Sequence, residues 1–88
     1  MITAVRTPGG LTIRGHAGYA APGQDIVCAA VSILAETLAS TLPSGAVRMG
    51  NGTADFACTP SEMDFAWRGL SLLAHQYPEN IALVKKCP

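Results

Sequence analysis

The sequence has little surplus of any kind. Six Lys and Arg offset six Asp and Glu in 88 residues, so the formal net charge at pH 7 is zero. Without excess positive charge there is little to hold a phosphate backbone, which argues against nucleic acid as a direct partner. No apolar run approaches the roughly 18 residues that a bilayer-crossing helix needs, so no membrane association is expected. The opening residues Met1 to Arg6 lack the charged region and long apolar stretch of a signal peptide. Cys28, Cys58 and Cys87 form no Cys-x-x-Cys pair and no metal-ligand spacing. Free thiols in a reducing cytoplasm are therefore the expected state, with no metal and no cofactor. What the chain does have is apolar residues: 49% are hydrophobic and only 14% charged, the balance of a globular chain rather than a disordered one. Residues 1–88 are expected to form a single domain, small enough that self-association would help to cover its surface.

The elements read in a clear order. Ile2 to Thr7 alternates, Pro8-Gly9-Gly10 turns, and Leu11 to Gly15 alternates again, which predicts a β-hairpin. Asp25 then stands as an N-cap before the apolar run Ile26 to Ala39, too long for a strand and closed by Pro43-Ser44-Gly45. Ala46 to Cys58 carries Asn51-Gly52 at its centre, a strong signal for a second hairpin. Thr59-Pro60-Ser61-Glu62 combines a capping box with Pro at the first helical position. The helix it opens should run to about Tyr77, with Met63, Ala66, Trp67, Leu70, Leu73 and Tyr77 on one face. After Pro78, Ile81 to Lys85 reads as a final strand. The predicted fold is α+β, in the order ββαββαβ. It comprises a mostly antiparallel five-stranded sheet with two helices on one face.

The chemistry is concentrated between His16 and Cys28. An imidazole stands where a strand ends, a thiol where a helix begins, and a loop with Gly18, Pro22 and Gly23 joins them. With Asp25 as N-cap, Cys28 occupies the third helical position, where unpaired N–H groups and the helix dipole favour a thiolate. A thiolate beside a proton-carrying imidazole is the minimum equipment for covalent attack on a carbonyl. N–H groups at the helix start, including that of Cys28, are candidates to hold the resulting oxyanion. Ser32 lies one turn after Cys28 on the same helical face and is a candidate supporting residue. Strict alternation would turn His16 toward the face of Thr12 and Arg14, away from Cys28, unless Gly15 and Gly18 bend the chain.

The run Gly15-His16-Ala17-Gly18-Tyr19-Ala20, followed by Gly23 and by Asp25-Ile26-Val27-Cys28-Ala29-Ala30-Val31-Ser32, resembles the bacterial ribosomal-processing cysteine proteases of the Prp family. Element order and chain length are similar as well. The resemblance implies a cysteine endopeptidase that removes the N-terminal extension of a large-subunit ribosomal protein (number twenty-seven) precursor, cutting after an aromatic residue. It also implies a cytoplasmic homodimer, catalytic roles for His16 and Cys28, and support from Gly15, Asp25 and Ser32. The loop bearing Gly18, Tyr19 and Gly23 is expected to close over the peptide. Where the family carries a bulkier residue and often a basic one, this loop has Pro22 and Gln24, a departure that bears on the sequence preference around the cut.

Simpler roles compete at each position. Cys28 could be a small buried hydrophobe, as Cys58 beside Phe56 is expected to be. His16 could be a solvent-facing strand residue, and His75 is expected to be a helix-end surface residue. Asp25 is most simply a cap, with orientation of His16 as a secondary possibility. The alternative to an enzyme is a non-enzymatic dimeric interaction module of the ribosome-assembly pathway, with Cys28 merely buried. Acylphosphatase chemistry would require an Arg in a glycine-framed anion nest, which Arg14 lacks. Thiol redox work would require a resolving Cys close to Cys28.

Overall fold

The computed structural model describes residues 1–21 and 23–86. Pro22 and Cys87, both singled out in the sequence, lie outside the described residues. The elements follow the predicted order: β1 (Ile2–Thr7), β2 (Gly10–Arg14), α1 (Ile26–Ser40), β3 (Val47–Gly50), β4 (Thr53–Ala57), α2 (Pro60–Gln76) and β5 (Ile81–Lys85). α1 ends at Ser40 with Thr41 as its C-cap, and a short 3-10 turn, Ser44–Ala46, capped by Pro43, is added before β3. Both helices begin as their caps dictate. Asp25 accepts the N–H of Cys28, and Thr59 and Glu62 form a reciprocal capping box.

The sheet runs β3-β4-β2-β1-β5. The β1–β2 and β3–β4 hairpins and the β2–β4 pairing that joins them are antiparallel, and β1 pairs with β5 in parallel, from Ile2 opposite Ile81 to Arg6 opposite Lys85. The alternation of side chains sends Ile2, Ala4, Leu11, Ile13, Ala54 and Phe56 to one buried face. Val27, Val31, Ala35 and Leu38 of α1 and Met63, Ala66 and Leu70 of α2 complete a single core with them. Both helices thus cover the same face, as a one-faced apolar pattern on each requires. Truncating a buried member such as Leu70 or Phe56 to Ala should cost about 2–5 kcal/mol. At the rim of the core the Arg6 guanidinium lies 5.6 Å from the Trp67 ring centre, its charge over the ring face.

The opposite face is uncovered. Thr12 donates to the Asp55 carboxylate at 2.8 Å between strands paired in register, and Thr3 and Arg14 also point to that side. Phe65 and Leu72 remain 70% and 65% exposed on the outer side of α2. No helix is long and apolar enough to cross a membrane among the described residues.

Candidate active site

The N-terminal turn of α1 forms one wall of the site. Asp25 is extended, and its carboxylate is divided between two backbone donors: Oδ1 takes the N–H of Cys28 at 2.9 Å, and Oδ2 takes the N–H of Tyr19 at 3.1 Å. The cap therefore starts the helix and also fastens the preceding loop to it. These N–H groups, that of Cys28 foremost, hold the carboxyl below its ordinary value, while partial desolvation works the other way. Neither oxygen is bonded to His16, so capping is the role that Asp25 performs in this structure.

Cys28 is half-buried and, among the described residues, unbonded to any other cysteine. Its sulfur receives a backbone hydrogen bond from the N–H of Ala17 at 3.3 Å. The expectation that the Cys28 N–H would serve an oxyanion is corrected here. That donor is already committed to the Asp25 carboxylate, because an N-cap side chain accepts the N–H of the third helical residue, here Cys28. Cys58, by contrast, is a core residue at 7% exposure, and burial, reinforced by the nearby Glu62 charge, pushes its thiol up. Cys58 thus occupies the core, as expected from its place beside Phe56.

His16 reaches the same region because β2 stops at Arg14. Gly15 takes φ +96°, ending the alternation that would have turned the imidazole to the far face. A side chain at Gly15 would also collide with the backbone carbonyl of Met1. Beyond it the exposed imidazole lies against the β3–β4 turn, its Nε2 3.5 Å from where a Cβ on Gly52 would stand. Asn51 and Gly52 both have positive φ, as a tight two-residue hairpin turn demands, and Gly52 accepts the Gly15 N–H at 2.9 Å. His16 and Cys28 line one open cleft of about 280 Å³, together with Gly15, Ser32 and the Met49–Ala54 hairpin. No hydrogen bond joins the imidazole to the sulfur among the described residues. Ser32 lies on the cleft wall, likewise without a hydrogen bond to Cys28.

The loop residues are held less uniformly. Gly18 and Gly23 are exposed, and Tyr19 is 47% exposed, its ring meeting Tyr77 edge-on at 5.4 Å between centres. The sequence reading did not place two features at the site. The first is the Asn51-Gly52 turn beside His16. The second is Asn80, whose side-chain amide donates to the Ala17 carbonyl at 2.9 Å and so steadies the peptide next to the sulfur. His75 is exposed in the last turn of α2, away from this chemistry, as expected. No group of three or more His, Cys, Asp or Glu is arranged to hold a metal among the described residues.

A thiol in the first turn of a helix, a backbone amide aimed at its sulfur and an imidazole on the same cleft are compatible with a cysteine peptidase, the class that the family match shows. The chain belongs to the cysteine protease Prp family, whose model matches residues 6–82. Solved structures agree with the fold. A structure of the essential ribosomal processing protease Prp from S. aureus with a covalently linked product peptide is 23% identical over 98% of this chain and 100% of that one, at TM-score 0.78. The same protease with a substrate peptide gives 20% identity, 98% and 100% coverage and TM-score 0.79. SMU.848 from Streptococcus mutans is 25% identical, covering 99% of this chain and 93% of that one, at TM-score 0.74. No match is found among curated proteins.

Proposed function

We propose that this peptidase is an endopeptidase acting through a His16–Cys28 dyad and removing the N-terminal extension of a large-subunit ribosomal protein (number twenty-seven) precursor. The observation that carries the mechanism is the cleft that Cys28 and His16 share, with the Ala17 N–H directed at the sulfur. Cys28 attacks the scissile carbonyl of an extended peptide, forming an acyl-enzyme, while His16 protonates the departing amine. His16 then takes a proton from the water that hydrolyses the thioester, restoring the thiol. The Ala17 N–H steadies the thiolate before attack. Asp25 holds the helix start and the Tyr19 end of the loop, and that loop closes over the bound peptide. The substrate assignment is supported by family membership and by the peptide-bound S. aureus protease of the same fold.

The enzyme is expected to work in the cytoplasm as a homodimer, without a cofactor and without direct contact to nucleic acid or membrane. The exposed Phe65 and Leu72 supply apolar surface for the dimer. The deciding experiment incubates the purified protein with the host's own precursor of that ribosomal protein. Mass spectrometry should find one N-terminal fragment ending in an aromatic residue, and none with Cys28→Ala. An uncut precursor, with Cys28 reacting no faster than a buried thiol toward an alkylating agent, would favour the non-enzymatic module instead. Light scattering at micromolar concentration should return twice the chain mass.

A further inference from the structure

The cleft has one charged end. Cys28, Ser32 and Glu36 follow one another at four-residue intervals along α1, so all three lie on the wall that faces the β3–β4 hairpin. Glu36 is the only charged residue in α1. Its neighbours along the cleft are apolar or neutral, among them Val31, Ala35 and Met49. It is exposed, and among the described residues it forms no salt bridge, the Arg68–Asp64 pair being on α2. A lone carboxylate at one end of an otherwise uncharged peptide groove gives that groove a polarity that its substrate must match.

From this we infer that Glu36 is a specificity-determining residue, selecting a Lys or Arg in the peptide that the dyad cleaves. The inference rests on the peptidase assignment proposed above, and the geometry locates the basic residue. Eight residues of helix separate Glu36 from Cys28, an axial distance of about 12 Å at ~1.5 Å per residue. An extended peptide advances ~3.3 Å per residue, so the partner sits about three to four residues from the scissile bond. The sign of the preference is fixed by the carboxylate: a basic side chain there gains an ion pair, and an acidic one meets like charge. The pair stays open to solvent, so it contributes through binding and weakens with salt.

The test uses the full-length enzyme and a set of ten-residue peptides built around one aromatic cleavage position. A single Lys, Gln or Glu is walked through positions two to five on either side of the bond. Wild-type enzyme should prefer Lys over Glu about tenfold in kcat/KM at one position, three or four residues from the bond, with most of the effect in KM. Glu36→Gln should flatten that preference and Glu36→Lys should invert it, at that position and no other. Raising NaCl from 50 to 500 mM should shrink the wild-type preference. Circular dichroism checks that both variants fold. Cys28-dependent cleavage with the same charge profile in wild type and Glu36→Lys overturns the role of Glu36 while leaving the peptidase intact. Failure of wild type to cleave any peptide or the precursor overturns the peptidase assignment and this inference with it.

Discussion

Asn80 reaches across 63 positions of sequence to hold the carbonyl of Ala17, and the N–H of that same residue points at the sulfur of Cys28. The loop that Asp25 fastens to α1 is thus tied also to the connection between α2 and β5. Its neighbour Tyr77 receives Tyr19 in the same region. Asn80→Ala should therefore act on the site more than on the fold. Loss of one such hydrogen bond costs about 1 kcal/mol of stability, a shift of several degrees in Tm for a domain of this size. If the bond positions Ala17, kcat should fall roughly tenfold beyond anything the stability change explains, and the rate of Cys28 alkylation should change with it. Unaltered kcat and thiol reactivity, with only Tm lowered, would make the bond purely structural.

The proposed dyad gives a sharper contrast. Cys28→Ala should abolish cleavage, and His16→Ala should lower kcat/KM by about 10²–10⁴-fold, both in folded protein. Cys58→Ala should cleave nearly normally at temperatures well below its Tm, since Cys58 belongs to the core rather than to the cleft. Single-turnover cleavage of the precursor, followed by gel or mass spectrometry, separates these outcomes. Undiminished cleavage by folded Cys28→Ala protein would remove the mechanism.

The two thiols should also differ in accessibility across pH. Burial raises the Cys58 thiol above its ordinary value of 9.0, so the folded protein keeps it neutral where an unfolded chain would ionise it. Folded protein then binds more protons than unfolded protein above about pH 9, and stability must fall as pH rises through that range. Iodoacetamide labelling with peptide mapping should find Cys28 modified first, and Cys58 modified only where alkali or denaturant opens the core. Equal labelling of both at pH 7.5 would contradict the burial of Cys58.

Acid should loosen the site from the other direction. The Asp25 carboxyl is depressed below 3.8 in the folded protein by the N–H groups of Cys28 and Tyr19. A depressed carboxyl contributes stability above its unfolded value and loses it as pH falls through the folded one. Asp25→Asn should therefore be less stable than wild type near neutrality, and the difference should vanish progressively below about pH 4. Thermal melts of both proteins between pH 2.5 and 7 measure this. A difference that stayed constant across that range would mean that the charge of Asp25 plays no part.

Much of this was legible along the chain because its signals are local. Asp25 and the Thr59–Glu62 box start helices through bonds spanning three residues, and the Asn51-Gly52 turn closes its own hairpin. The fate of His16 was half legible. Alternation pointed it the wrong way, and only the ending of β2 at Arg14 followed by the positive φ of Gly15 brings it to the cleft. The contributions of Gly52, Asn80 and Glu36 could not be read in advance. They depend on strand order and helix placement: β4 beside β2 delivers the Gly52 turn to His16, and the seating of α1 aligns Glu36 with Cys28. The commitment of the Cys28 N–H to Asp25 was readable from the cap itself, since a cap at Asp25 consumes the third helical donor.

The parallel joint between β1 and β5 makes the candidate site depend on a contact that is remote in sequence. Every other strand pairing lies within residues 2–57, whereas β5 and the Asn80 just before it come from beyond α2. If β5 peels away, β1 becomes an exposed edge, and the Ala17 peptide loses the side chain that holds it. A local opening of that edge would therefore reach the Cys28 thiol while both helices and the Asp25 cap stay formed.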